Sequence, residues 1–158
     1  MGQRHDYASQ LLASQDFFAR STRVLEEADS GFRPQTGSMT VAQQVAHVAQ
    51  VVDWFVQGAT RPEGFDIDFE AHAKEIAAVT SLAAARKWLD DAYAKAVDFL
   101  RSASDEDMER PLPEGPVMGG KPVSDIVFAM IEHSAHHRGA LTVYSRLLGR
   151  VPPMPYGG

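Results

Sequence analysis

Residues 123–149 read VSDIVFAMIEHSAHHRGALTVYSRLLG, a segment of helical length with histidines set inside an apolar pattern. Each residue of an α-helix advances by about 100° around the axis. The apolar residues that this rotation brings to one face are Ile126, Met130, Leu141 and Tyr144. Gly149 is typical of a helix end. The pattern therefore predicts a helix from about Val123 to Leu148 with one buried face.

Two histidines fall on this buried face. His133 and His137 are four residues apart and lie within about 40° of each other on the helix, whereas His136 lies about 60° off the stripe. The Cβ atoms of residues one turn apart are roughly 6 Å from each other, and a metal–nitrogen bond is roughly 2.0–2.1 Å long, so His133 and His137 could share one ion. Ser134 follows His133, so the glutamate of the H-E-x-x-H metalloprotease motif is missing.

A third ligand is expected from another helix that faces the same cavity, because two ligands do not make a stable site. His47 is the best candidate, since it lies near the middle of a predicted helix, toward the flank of its apolar arc. His5 is near a terminus and His72 is in a less regular segment. An isolated histidine on an apolar face is more often a hydrogen-bonded core residue, so a metal-free core remains an alternative.

Three further long helices are predicted before residue 123. Their approximate limits are Tyr7 to Ala28, Thr40 to Gln57, and Thr80 or Ser81 to Ser102. Residues 40–43 form a capping box, and Gly58 is expected to end the second helix. A short helix is expected around Phe69 to Val79. Residues 111–122 carry four prolines and three glycines, which predicts a turn or short hairpin, and residues 151–158 are expected to lie extended along the surface.

These elements predict a single domain, residues 1–158, with an all-α, four-helix-bundle fold. The long connection between the second and third long helices leaves room for a crossover and a non-sequential topology.

The composition limits the types of metal ligand and argues against some classes of partner. The chain has no cysteine, so any metal must be held by nitrogen and oxygen ligands. The net charge of −6 and the pI near 5.4 argue against a nucleic-acid partner. The N-terminal residues lack the apolar core of a signal peptide, and no apolar stretch approaches the roughly 18 residues of a membrane span. We therefore expect a cytoplasmic protein with no membrane association.

Two segments resemble the DinB family (DinB/YfiT-like metalloenzymes). Residues 133–149, followed by the Val-Pro-Pro of residues 151–153, resemble the family's C-terminal signature. Residues 40–47, TVAQQVAH, resemble the start of its second helix, which ends on its first metal-binding histidine. The resemblance implies a four-helix bundle in up-down-down-up order, usually a homodimer. It also implies one divalent metal (nickel, zinc or iron) on His47, His133 and His137, with His136 outside the ligand set.

An ion held by three histidines keeps coordination positions open, as a catalytic site requires. The leading hypothesis is a metal-dependent transferase or hydrolase that acts on a small substrate, such as a thiol conjugate. The metal would activate a thiolate or a water molecule as the nucleophile. The alternative is a stress-response binding or interaction protein with a structural or adventitious metal. Gln43, one turn before His47, is a candidate to orient that ring, and Tyr144 is a candidate to line the pocket or to fill the core.

Overall fold

The computed structural model describes residues 6–157, and within this range the regular secondary structure is helical apart from an isolated bridge between Pro111 and Pro122. Its six α-helices are α1 (Tyr7–Thr22), α2 (Val41–Thr60), α3 (Phe69–Ala77), α4 (Leu82–Ser102), α5 (Asp105–Glu109) and α6 (Asp125–Leu147). The four long helices, α1, α2, α4 and α6, form the bundle. His5 lies outside the described residues.

Polar side chains fix where the long helices begin. Asp6 accepts a hydrogen bond from the backbone N–H of Ser9 at the start of α1, and Ser81 caps α4 in the same way. At the start of α2, the predicted capping box between Thr40 and Gln43 is present in both directions. Such side-chain oxygens satisfy backbone donors that have no partner inside the helix.

Hydrogen bonds between helices show their directions. Gln44 in α2 bonds to His137 and Tyr144 late in α6, so α2 and α6 are antiparallel neighbours. Between α1 and α4, the Gln15 amide donates a hydrogen bond to Asp90, and Arg86 donates one to the Thr22 carbonyl. These two helices are therefore antiparallel too.

The remaining direction is given by Ser30, which contacts the first turns of both α2 and α4. These two helices therefore run in the same direction, and the predicted up-down-down-up order is confirmed. Parallel neighbours cannot be joined by a short turn, so the chain crosses over through residues 61–81, which include α3.

The core lies between the four long helices and is filled mainly by alanine, valine and leucine. Its largest fully buried side chains include Tyr93, Phe18, Leu11, Leu25, Leu82, Ile126, Met130 and Leu141. A buried polar contact joins α4 to α6, where the Tyr93 hydroxyl lies 2.8 Å from Ser134 Oγ.

Two predicted boundaries were wrong. The first helix ends at Thr22 and not near Ala28, because Arg86 binds the Thr22 carbonyl and the chain then turns into a short 3₁₀ helix at Glu27–Asp29. Gly58 does not end α2. It lies inside the helix, where the Phe65 ring occupies the space that a Cβ atom would need.

The third difference is α5, a short helix after α4 that the sequence pattern did not predict. Ser104 and Asp107 close a capping box around its first turn. The proline-rich segment that follows forms a short hairpin-like turn, in which Leu112 donates to the Lys121 carbonyl at 2.7 Å. This outcome agrees with the expectation for residues 111–122.

The C-terminal tail lies along the surface, as expected. Arg150 pairs with the buried carboxylate of Asp29, which anchors the end of α6 to the 3₁₀ helix. Farther along, the Tyr156 ring packs edge-on against Phe17 at 5.0 Å between centroids, and the Arg138 guanidinium lies 5.8 Å from the Tyr156 centroid.

Candidate metal centre

The antiparallel packing of α2 against α6 brings three histidine rings together. His47 comes from α2, and His133 and His137 come from successive turns of α6. One ring nitrogen from each residue lies within 4.8 Å of the other two. The ring centroids are 4.5–5.0 Å apart, and Nε2 of His133 lies 3.1 Å from Nε2 of His137.

His137 is held in one orientation by a chain of hydrogen bonds. Its Nδ1 lies 2.5 Å from Oε1 of Gln44. The Gln44 amide nitrogen donates to the Tyr144 hydroxyl at 3.2 Å, and this hydroxyl donates to the Met39 carbonyl at 2.8 Å. Because Gln44 presents its oxygen to the ring, the neutral His137 carries its proton on Nδ1 and keeps the lone pair on Nε2.

His47 is oriented in a similar way by Gln50. Its Nδ1 lies 3.3 Å from Oε1 of Gln50. The Gln50 amide nitrogen donates to the His72 carbonyl at 3.0 Å and to a carboxylate oxygen of Glu75 at 2.9 Å. Both donor hydrogens of the amide are therefore engaged by α3, so its oxygen faces His47 and the Nε2 lone pair of that ring is left available.

Burial keeps the three imidazoles neutral. It lowers the pKa of His137 to about 3 and that of His133 to about 4, with repulsion from the neighbouring histidines adding to each effect. Burial also lowers the pKa of His47, although the hydrogen bond that its ring donates to the Gln50 oxygen opposes the change. Neutral imidazole is the form that binds a metal, because only then does the ring have a free lone pair.

The donor set fits a divalent transition metal. Three imidazole nitrogens from two helices converge on one point, two of the rings are fixed by hydrogen bonds at Nδ1, and the neutral rings themselves carry no charge that would repel a cation. This is the pattern by which partner groups orient metal-binding histidines. Three protein ligands also leave a coordination position open, as in catalytic zinc sites. His47, His133 and His137 could therefore hold one ion.

The structure places the other candidate residues as follows. His136 is exposed and lies outside the three-histidine group, although its ring packs edge-on against His137 at 5.0 Å between centroids. Tyr144 is buried and reaches His137 through Gln44. Gln43 lines the cavity beside the cluster, but its side chain bonds to Thr40 and Ala77, and His47 is oriented by Gln50 instead.

A cavity of about 510 Å³ opens beside His47, between α2, α3 and the loop before α2. Its walls are mostly apolar, and His72 adds a second imidazole, whose Nε2 lies 3.4 Å from a carboxylate oxygen of Asp66. The main apolar side chains on the walls are Met39, Val51, Trp54, Phe69 and Ile76. A small molecule in this cavity would lie next to the histidine cluster.

The sequence analysis missed the two glutamines that orient the rings. Gln44 and Gln50 are both buried, and each lies three residues from His47 on a helix whose other buried residues are apolar or small. A buried amide needs hydrogen-bond partners, so a glutamine on such a helix is a usable signal for a polar neighbour. The partner's identity depends on which helix packs there.

Comparison with known proteins agrees with this geometry. A sequence model of the DinB superfamily matches residues 10–141, which is more than half of the chain. No curated protein matches the sequence significantly.

Two solved structures from Bacillus subtilis share the fold at 17% identity and a TM-score of 0.71. One is YfiT, described as a probable metal-dependent hydrolase with an unusual four-helix bundle topology, and the match covers 91% of this chain and 86% of YfiT. The other is the DinB-like protein YjoA, with 94% and 96% covered. The family match, the shared bundle topology and the histidine cluster lead to one conclusion: the chain belongs to the DinB superfamily.

Proposed function

We propose that this protein is a divalent-metal-dependent enzyme for a small substrate, with the ion on His47, His133 and His137. The observation that carries the proposal is the convergence of three neutral imidazoles beside a cavity large enough for a substrate. A bound divalent ion supplies Lewis-acid chemistry, because it lowers the pKa of a water or thiol that it binds and so produces a nucleophile near neutral pH.

The chain's own residues would prepare the site. Gln44 and Gln50 fix the rings of His137 and His47 before any ion arrives, which lowers the cost of ordering the ligands. The apolar cavity wall, including Trp54, excludes water around the reacting groups. His72, held by Asp66, presents a second imidazole to a substrate at the cavity wall.

Hydrolysis is the reaction that we favour, since the similarly folded YfiT is described as a probable metal-dependent hydrolase. Transfer of a low-molecular-weight thiol is the second reaction compatible with such a site. Nickel, zinc and iron all accept three imidazoles, so the proposal includes any of them. The resemblance further leads us to propose a cytoplasmic homodimer with a role in stress response.

The experiment begins with tag-free, metal-stripped protein, which is reloaded separately with Zn²⁺, Ni²⁺ and Fe²⁺ and analysed for bound metal. We expect one equivalent per chain for at least one ion. The loaded protein is then assayed on small esters, amides and thiol–electrophile pairs. If the reloaded protein binds less than a tenth of an equivalent per chain of every ion, the metal proposal is wrong.

Controls separate catalysis from binding. His137→Ala should lose both the ion and turnover, whereas His136→Ala should retain both because that ring lies outside the cluster. One equivalent of metal without turnover on any substrate class would favour the alternative of a binding or interaction protein with a structural metal.

A further inference from the structure

The cavity beside His47 has an uneven charge pattern. Arg33 is the one lining residue with a permanent charge, and no carboxylate lies among the residues that line the described cavity. Two acidic side chains contact residues of the cavity wall from outside it, since Glu75 accepts from Gln50 and Asp66 contacts His72. The remaining wall is mostly apolar. The cavity therefore presents one cation at the edge of an apolar surface.

Arg33 makes no hydrogen bond or ion pair with any residue in the range 6–157, and its side chain is exposed. Several other arginines have partners, such as Arg20 with Asp16 and Arg150 with Asp29. An exposed arginine without a partner is common, so its position is what matters here. The guanidinium borders a cavity with its donors free, and its planar fork matches the two oxygens of a carboxylate.

We propose that the cavity binds a small amphiphilic carboxylate, with the anionic group on Arg33 and the apolar body against Trp54 and Phe69. An apolar anion matches both features of the wall, whereas a cation would meet Arg33 and a strongly polar molecule would lose hydration against the aromatic rings. His47 lines the same cavity, so the bound molecule lies beside the histidine cluster. The inference rests on the proposed function, because it names the substrate class for the same site.

The test measures binding to metal-stripped protein, so that a carboxylate cannot coordinate an ion. The sequence contains two tryptophans. Replacing Trp88 with Phe leaves Trp54, on the cavity wall, as the fluorescent reporter. The probes are 4-phenylbutyrate and its neutral analogue 4-phenylbutyramide. Isothermal titration calorimetry of the unaltered chain gives the same affinities if the Trp88→Phe variant does not fold.

We expect the acid to bind about tenfold more tightly than the amide, since a charge-assisted hydrogen bond at a solvent-exposed site contributes modestly. Arg33→Gln should remove this preference and leave amide binding unchanged, and Arg33→Lys should retain part of it. Arg23→Gln is the matched control, because Arg23 is exposed and does not line the cavity.

Equal affinities for acid and amide, an unchanged preference in Arg33→Gln, or no binding of either probe at millimolar concentration would each overturn the inference. The outcome is separable from that of the proposed function. A chain that takes up metal and turns over substrate but shows no acid preference overturns only this inference. A chain that prefers the acid but binds no metal overturns only the proposed function.

Discussion

The side-chain oxygen of Gln44 lies 2.5 Å from Nδ1 of His137, on the far side of the ring from the histidine cluster. This contact places the proton of the neutral imidazole on Nδ1 and directs the lone pair of Nε2 toward His133. Tyr144 secures the arrangement by accepting a hydrogen bond from the Gln44 amide. A glutamine on α2 therefore prepares a histidine on α6 for a cation.

Gln44→Ala is expected to weaken metal affinity about 10- to 100-fold, the usual effect of removing a group that orients a metal-binding histidine. Competition with a fluorescent chelator measures the affinity. Gln43→Ala is the neighbouring control, because Gln43 bonds to Thr40 and Ala77 and to none of the three histidines. It should lower thermal stability through the lost capping box and leave metal affinity intact. Equal affinities for the two variants would contradict the orienting role.

Replacing any one of His47, His133 or His137 with Ala should abolish metal retention after gel filtration, because two ligands bind an ion far more weakly than three. His136→Ala should retain most of the ion, since its ring is exposed and lies outside the cluster. Elemental analysis of each purified variant gives the stoichiometry. Equal losses for His136 and His137 would show that the ligand assignment is wrong.

The metal-free protein should lose stability as pH falls below neutrality. The pKa of His133 is lowered to about 4 and that of His137 to about 3, from an ordinary value of 6.5. The unfolded chain therefore binds more protons than the folded chain between these values. The free energy of unfolding has its full value above about pH 6.5. It decreases toward pH 3–4, by up to about 1.4 kcal/mol per pH unit for each histidine.

Thermal melts of the metal-free chain at pH 7, 6, 5 and 4 check this expectation. His133→Gln should give a flatter dependence of Tm on pH, because it removes one buried imidazole and the repulsion that this ring exerts on His137. His136→Gln should follow the unaltered chain. A His133→Gln curve parallel to that of the unaltered chain would mean that the cluster does not govern acid stability.

Two glycines inside helices should respond in opposite ways to alanine. A Cβ atom on Gly58 would lie 2.2 Å from the Phe65 ring, so Gly58→Ala should destabilise the fold by about 1–3 kcal/mol. Gly139 on α6 has no atom within 4 Å of the corresponding position, and Gly139→Ala should stabilise by about 0.5–1 kcal/mol. Urea unfolding of both variants provides the comparison. Similar changes of the same sign would contradict the packing argument.

Much of the helical organisation could be predicted from local sequence. The capping box at Thr40 and the Gly149 stop mark helix ends through interactions within a few residues, and both are present in the structure. Gly58 shows where local reasoning fails. A glycine at this position is typical of a helix end, yet α2 continues to Thr60. The Phe65 ring occupies the space that a side chain at Gly58 would need.

None of the helices in the described residues combines the length and hydropathy that a bilayer crossing requires. Mean hydropathy along a segment depends only on nearby residues. The glutamines differ in this respect. The ring that Gln44 contacts lies 93 residues away along the chain, and the α3 groups that hold the Gln50 amide lie 22 and 25 residues away, so only packing shows which groups these glutamines meet.

The sequence by itself determined that His133 and His137 share one face of a helix, because a 100° step per residue fixes that relation within the segment. Only the tertiary structure decided that His47 reaches the same point, that Gln44 and Gln50 hold the rings, and that a cavity opens beside them. Helical periodicity is a local property of the backbone. The meeting of α2 with α6 depends on how four helices pack and cross over, which is a property of the whole chain.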